Sequence, residues 1–539
     1  MDRRRCHRSR RRFLQTAAGG LALLAGCADL GQTDDEPDRD PAQVGSNPDV
    51  NADADNDVTI GWPTADVTVV DFETAPLTAV VTGSVRTEDG LGATLDFDSP
   101  ATASSPATLS GVIANHRNYE QTFDPTRLVV LNDPAASRSS GDATDTAYLV
   151  PTAEHPLAET VVPSSRDDDG RWRVDTVHGD WYPETLTLEP EQRLECEYHL
   201  LGHHERVSQP IEAGRYEFGA QDRGFAIAVW PTDAPGPDGD SQFSGTDVPA
   251  LPESVDEEGA EPADLSWYHE ATPETPVYLE PDQEAVTAPA RIEFNLVNHS
   301  DEYLSGNPHQ WRLSKLVAGE WYRIAPDITP DPLSWVAPGT VTTSTLDLYD
   351  GRPIDRDRSR TVGYLGGGRY AYSVGYSVDG ETHAALFDLD APPLAVEPEP
   401  DATVDDTGNG TAADRVVRLP NYEDARRPAT VTITRVDSHS PSDADASTDT
   451  DTDTGTTDAD TDTDIGIDID AHLIPEQLPR RRFRSFRNTL PLFDDDSIDR
   501  VVLETDRGTA LGWFGYEEAT RTVSYKEAVF EVAGALESD

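Results

Sequence analysis

Lysine is almost absent from this 539-residue chain. Lys315 and Lys526 are its only two; the rest of the 42 basic residues are arginine, set against 101 Asp and Glu. The formal charge is -59. Phosphate binding needs net positive faces, so nucleic acid is excluded as a partner. Cysteine is equally scarce, with only Cys6, Cys27 and Cys196. Long hydrophobic runs are missing as well. The longest, from Thr16 to Ala25, is too short to cross a bilayer as a helix. There is no Walker loop, no dinucleotide fingerprint after a strand, no Gly-x-Ser-x-Gly elbow and no His-Glu-x-x-His. Carboxylates are too abundant for any pair to stand out as acid and base, so no catalytic residue is assigned. No cofactor is expected.

What is present begins at the amino terminus. Ser9-Arg10-Arg11-Arg12-Phe13-Leu14 precedes the short apolar stretch, which ends in Leu24-Ala25-Gly26-Cys27. The Arg10-Arg11 pair, the short apolar region and the small-residue box before a cysteine resemble the signal peptides of twin-arginine-exported lipoproteins. That resemblance implies cleavage before Cys27, a lipid on its thiol and a chain held at the outer face of the membrane. Cys6 would leave with the signal at 1–26. Cys196 would then stand alone, and no intrachain disulfide could form.

The acidity has a physical consequence. Self-repulsion at this charge destabilises a compact state. At molar salt the screening length falls to roughly 3 Å and the repulsion is largely removed. The composition resembles that of proteins from extremely halophilic archaea. The alternative is an acidic disordered chain; 9 Trp, 17 Tyr and 14 Phe, set in ordered patterns, argue against it.

Composition divides the chain. The stretch 27–60 reads as an acidic flexible tether. Breaks of similar character fall at 235–263 and 398–412. The tract 440–470, with Asp449-Thr450-Asp451-Thr452-Asp453-Thr454-Gly455, is low-complexity sequence that cannot bury a core. Its spacing also fails the calcium-loop pattern, because Gly455 falls seventh where the sixth position is needed.

Between the breaks lies a duplication. Ser105-Pro106-Ala107-Thr108-Leu109-Ser110-Gly111-Val112-Ile113-Ala114-Asn115-His116 aligns without gaps on Ala288-Pro289-Ala290-Arg291-Ile292-Glu293-Phe294-Asn295-Leu296-Val297-Asn298-His299. Both alternate with period two, the mark of a strand with one buried face. Each ends in Asn-His, which suits a turn. Three further landmarks follow in order: Gly170-Arg171-Trp172 and Gly319-Glu320-Trp321, Leu188-Glu189-Pro190 and Val336-Ala337-Pro338, Gly214-Arg215-Tyr216 and Gly368-Arg369-Tyr370. Short alternating strands separated by Gly, Pro and Asn turns favour β-sandwiches. The order of landmarks resembles bacterial immunoglobulin-like domains of cell-surface proteins. The fold class expected is mainly β: two tandem immunoglobulin-like β-sandwiches, at 68–232 and 264–396, then a small C-terminal α+β domain at 413–539, joined by acidic disordered linkers. Without a bridging disulfide, Trp172 and Trp321 are expected to fill the sandwich cores by packing. The first sandwich carries an extra stretch at 133–166, expected as an exposed loop and one candidate binding surface. In the last domain, Ala429–Val436 reads as a strand, Ile474–Phe486 as helical, and Asp499–Asp506, Thr509–Phe514 and Thr520–Val532 as strands.

Four groups of residues invite functional readings. His199, His203 and His204 are the densest metal-capable set, but adjacent residues on a strand point to opposite faces, and zinc needs three or four converging ligands. Solvated turn histidines are the expectation, and no metal is assigned. Cys196 alternates with Leu194, Tyr198 and Leu200 on an apolar strand face, and Glu195 and Glu197 flank it, the wrong setting for a nucleophile. Arg480, Arg481, Arg482, Arg484 and Arg487 form the one basic block beyond the signal. They either dock an anionic partner or lie on an amphipathic helix that buries Phe483 and Phe486 and pairs with Asp494, Asp495 and Asp496 or the Asp/Thr tract. Asn298 and Asn409 head glycosylation sequons. The function expected is binding or envelope structure at the cell surface, with a membrane lipid anchor and a surface protein or glycan as partners. A surface hydrolase with its site in the last domain, and a protease-inhibitor-like accessory module, remain as alternatives.

Overall fold

The computed structural model describes residues 67–536 apart from 133, 140–145, 167–169, 178–179, 203–210, 220–223, 252–264, 328, 331, 355, 357–358, 379, 407–412, 437–468 and 515–518. It is mainly β throughout. The signal, Cys27, the tether and most of the Asp/Thr tract lie outside the described residues.

Alternation builds the strands. In Ala290–Asn298, Ile292, Phe294, Leu296 and Asn298 are at most 1% exposed, while Arg291 and Glu293 between them face solvent. Each large apolar side chain so buried contributes on the order of 2 kcal/mol. This strand sits between Val277–Pro281 and Thr340–Leu348 in a four-stranded sheet. The facing sheet centres on Gly368–Val378 and Glu381–Asp390. Phe294 crosses the gap to stack on Tyr372 at 4.2 Å and to meet the edge of Phe387 at 6.1 Å. The first sandwich is assembled alike. Leu77–Thr82, Phe225–Pro231 and Gly214–Phe218 form one sheet, and Ala107–Asn115 lies between Leu91–Ser99 and Arg193–Gly202 in the other. Leu109 and Ile113 from one sheet and Ile227 and Val229 from the other share one core.

The duplication is visible atom by atom. Asn115 Nδ2 donates to the carbonyls of Tyr119, Leu188 and Glu189, and its Oδ1 accepts from Arg117 N. Asn298 Nδ2 donates to Glu302 O and Val336 O, and its Oδ1 accepts from Ser300 N. Tyr216 Oη donates to Glu212 O at 3.0 Å, and Tyr370 Oη to Gly366 O at 2.6 Å. Backbone bends match as well: Gly214 and Gly368 have φ of 151° and 137°, and Glu191 and Gly339 have φ of 57° and 67°.

Several expectations need correction. The stretch 133–166 contributes a buried strand, Ala147–Pro151, paired with Arg193–Gly202, because Ala147, Tyr148, Leu149 and Val150 are apolar in a row. The break at 235–263 is ordered over its first half. Phe243 and Leu251 are buried with Trp267 and Trp321, and Glu284 accepts bonds from Ser241 Oγ and Gln242 N. Its two large anchors are diluted by Pro, Gly and Asp, which hides them from composition. Trp321 therefore fills this outer cluster and not the space between the sheets. Trp172 is only half-buried, with Nε1 donating to Thr102 O.

The last domain begins before 413. Thr403–Asp406 is its edge strand, and Val396 and Ala402 pack on its core. Its seven-stranded sheet runs Thr403–Asp406, Ala413–Arg418, Ile498–Asp506, Pro428–Arg435, Ala528–Leu536, Ala519–Tyr525, Ala471–Leu473. Thr509–Phe514 is not a strand. Asp506 caps a short helix, Arg507–Leu511, by accepting from Thr509 N. Nor is Ile474–Phe486 one helix. It breaks into turns at Pro475–Gln477 and Arg481–Phe483 and one helical turn, Arg484–Arg487. The helical pieces between 475 and 511 pack on one face of the sheet, with Leu478, Phe486, Leu490, Ala510 and Leu511 at most 1% exposed.

Candidate functional site

The arginine block is where the last domain meets the second sandwich. Arg480 is buried; its Nε donates to Glu476 O and its Nη2 to Gly363 O of the sandwich. Burial lowers its pKa to about 10, which leaves it charged at neutral pH. Arg481 N donates to Asp327 Oδ2, and Arg484 forks onto both carboxylate oxygens of Glu399 at 2.8–3.0 Å. Arg487 donates to Glu397 O and lies over the Tyr364 ring. Beneath the block, Lys315 Nζ meets Glu476 Oε1 at 2.5 Å, above the ring of Tyr370, and Gly366 N donates to the same oxygen. Phe486 is fully buried and Phe483 partly so, as the structural alternative required. The partners differ from those expected. Asp494 pairs with Lys526 and Asp496 with Arg435, while the block reaches across to the sandwich and to Glu397 and Glu399. Only Arg481 and Arg482 keep exposed side chains, so the block is an internal clasp and not an open anion-docking patch.

Of the histidine group only His199 lies among the described residues. His199 lies half-buried in the strand Arg193–Gly202, between Thr108 and Val150, and burial lowers its pKa. His203 and His204 lie outside the described residues. Cys196 is buried and its Sγ donates to Leu194 O. Burial pushes its thiol up to about 12, so it is an inert core residue. Asn298 is a correction as a glycan site: the nitrogen a glycan would occupy is fully buried and donates both bonds described above. Asn409 lies outside the described residues.

A second joint links the two sandwiches. His299 stacks on Trp230 at 5.1 Å with its ring nearly parallel, and its Nδ1 lies 2.6 Å from Pro235 O. The turn at Gly339 rests on Val80, Ala228 and Trp230, which form their own buried cluster. The Asn-His turn of the second copy is thus a docking knob for the last strand of the first. Beside it opens a cleft of about 260 Å³ lined by Thr82, Arg215, Glu217, Phe218, Ala226 and Thr340. A shallower groove of about 640 Å³ runs along Ala285–Thr287 and Asp388–Asp390. In the shallower groove Thr287 Oγ1 donates to Asp390 Oδ2 at 3.5 Å. Among the described residues no three His, Cys, Asp or Glu side chains converge as metal ligands.

Lys315, Glu476, Trp230 and His155 escaped the sequence. His155 is buried against Tyr182 and Tyr198, with ring centroids 5.4 and 4.8 Å away. The one available signal was Lys315 itself, an unusual choice in a chain that otherwise uses arginine.

No protein-family model matches the chain, and no curated protein matches it. Among solved structures, a polysaccharide lyase is 10% identical over 58% of this chain, with a TM-score of 0.11. The alpha-2-macroglobulin of E. coli is 9% identical over 67%, with a TM-score of 0.12. The chain spans 35% and 20% of those two chains. Likenesses this slight carry no argument about fold or activity.

Proposed function

We propose that the protein is a lipid-anchored extracellular surface protein whose immunoglobulin-like sandwiches act in binding or in cell-envelope structure. The observation that carries this is Leu24-Ala25-Gly26-Cys27 standing one short apolar stretch after Arg10-Arg11. Two sandwiches and a third domain joined by buried contacts suit a spacer that holds its shape away from a membrane. The partners proposed are the membrane, through the lipid, and a surface protein or glycan. The test is expression in a halophilic host with a labelled lipid precursor. Label should follow the protein into the membrane fraction, Cys27→Ser should release it, and Arg10→Lys with Arg11→Lys should trap it inside. Unlabelled cytosolic protein that retains Met1 would overturn the proposal.

A further inference from the structure

After the buried strand Ala147–Pro151 the first sandwich carries a surface flap, bounded by Pro151 and Pro163. From Ala153 to Arg173, His155 is the one buried residue among those described. Leu157, Ala158 and Val162 are half-buried, and the rest of 153–163 is exposed. No strand pairing holds the flap. Its far end is tied by Glu159 N, which donates to Trp181 O, and by Thr160 Oγ1, which donates to Asp180 O. Its near end closes on His155. His155 N donates to Thr152 O, Ala158 N donates to His155 O, and Leu157 N donates to the ring Nδ1 at 3.1 Å.

That last bond places the proton. A ring nitrogen that accepts carries no hydrogen, so the neutral ring has its proton on Nε2. Nε2 is buried and has no partner among the described residues, and the same is true of Tyr198 Oη. From the neighbouring elements Tyr182 and Tyr198 face the ring, with centroids 5.4 and 4.8 Å away, and the Cys196 thiol lies beside Tyr198. Phenols and a thiol bring no negative charge in acid. Glu154 and Glu159, on the flap itself, are exposed. Burial and the ring's own backbone are all that act on its proton affinity, so no described carboxylate offsets a charge there.

We propose that His155 is an acid-released latch: taking a second proton expels its ring, and the flap 152–162 swings out while both sheets stay paired. The second proton must go to Nδ1, where the Leu157 N–H already points. Two donors would then face each other, and an unpaired cation would sit among apolar side chains. In water both ring nitrogens and Leu157 N find acceptors. Opening gives up one buried ring, the two ties at Trp181 and Asp180 and part of the packing of Leu157 and Val162. The core shared by Leu109, Ile113, Ile227 and Val229 is untouched. In place the ring takes its proton only near pH 4, and free in water near 6.5. The advantage of the closed flap is therefore whole above 6.5 and shrinks about tenfold per pH unit as pH falls toward 4. Once open, water reaches Tyr182 and Tyr198, and the sandwich presents one surface in neutral surroundings and another in acid. The inference rests on packing in the first sandwich and does not depend on export or lipid.

The experiment is hydrogen exchange of the full chain from pH 7 to 5 at constant molar salt, each rate divided by the intrinsic rate at that pH. The Leu157 and Ala158 amides should be less protected than those of Arg193–Gly202 at every pH, because the flap opens without the sheet. Their protection should fall about thirtyfold between pH 6.5 and 5. His155→Asn offers Leu157 N an acceptor that takes no proton, and it should make their protection independent of pH. His155→Phe keeps the bulk of the ring and should read the same at Ala158. Flap amides protected as well as the strand overturn the proposal. So does protection indifferent to pH in the parent chain, or a fall with pH that survives both substitutions.

Discussion

One amide holds each sandwich's turn. Asn298 ties Glu302 O, Val336 O and Ser300 N together from a fully buried position. Removing it leaves those backbone groups unpaired, at about 1–3 kcal/mol for each that stays buried. Asn298→Ala should lower stability by about 3 kcal/mol in denaturant unfolding, and Asn115→Ala should do the same in the first sandwich. A loss below about 0.5 kcal/mol would mean water replaces the amide. Histidine sets a second limit. Burial lowers His155 and His383 to about 4 from 6.5. The folded state keeps them neutral while the unfolded state takes protons below 6.5, so their share of stability is full above that pH. It is lost as pH falls from 6.5 to 4, on the order of 3 kcal/mol for each. Melting temperature should drop across that window at constant salt, and His383→Gln should flatten the drop.

Among the elements, the turn at Gly339 explains why two copies of one turn differ. Both Glu191 and Gly339 adopt left-handed φ, yet only the second is pressed against a neighbour. A Cβ at 339 would lie 2.3 Å from Val80 Cγ1 and 2.7 Å from Ala228 Cβ, whereas Glu191 is exposed. Gly339→Ala should cost about 2 kcal/mol and split one calorimetric transition into two as the sandwiches uncouple. The clasp predicts a larger effect. Glu476→Gln strands Lys315 in a buried site, so it should cost about 3–5 kcal/mol. A small effect would show that water reaches Lys315 Nζ.

These elements also mark what could be read from sequence. Strands with one buried face were legible because Ile292, Phe294 and Leu296 alternate, and the duplication because Asn298 and Tyr370 must recur wherever their bonds do. The helix Arg507–Leu511 was not, since Thr509 to Phe514 lacks a helical stripe and its start depends on the Asp506 cap. The clasp was half-legible. An arginine block in an acidic chain signals a partner, but the partner proved to be Gly363, Asp327 and Glu399, and residues so far from it along the chain leave no local trace.

For the whole molecule, charge sets the conditions of folding. At -59 the folded chain repels itself, and the apolar cores must hold against that repulsion. Melting temperature should climb steadily from about 0.1 M to several molar sodium chloride. A flat profile would show that the acidic groups are spaced widely enough to ignore one another. The histidine and salt effects should be independent, because His155 and His383 are buried beyond the reach of screening ions.

The strand Pro428–Arg435 leaves the sheet just before the Asp/Thr tract, yet it is wedged between Ile498–Asp506 and Ala528–Leu536, which come after it. The two sides of the tract are stitched by main-chain ladders, not by the thread that joins them. A protease site engineered into 437–468 and then cut should yield two pieces on a denaturing gel and a single particle in native buffer. The broken ends would become a place to attach a dye or a passenger domain without taking the molecule apart.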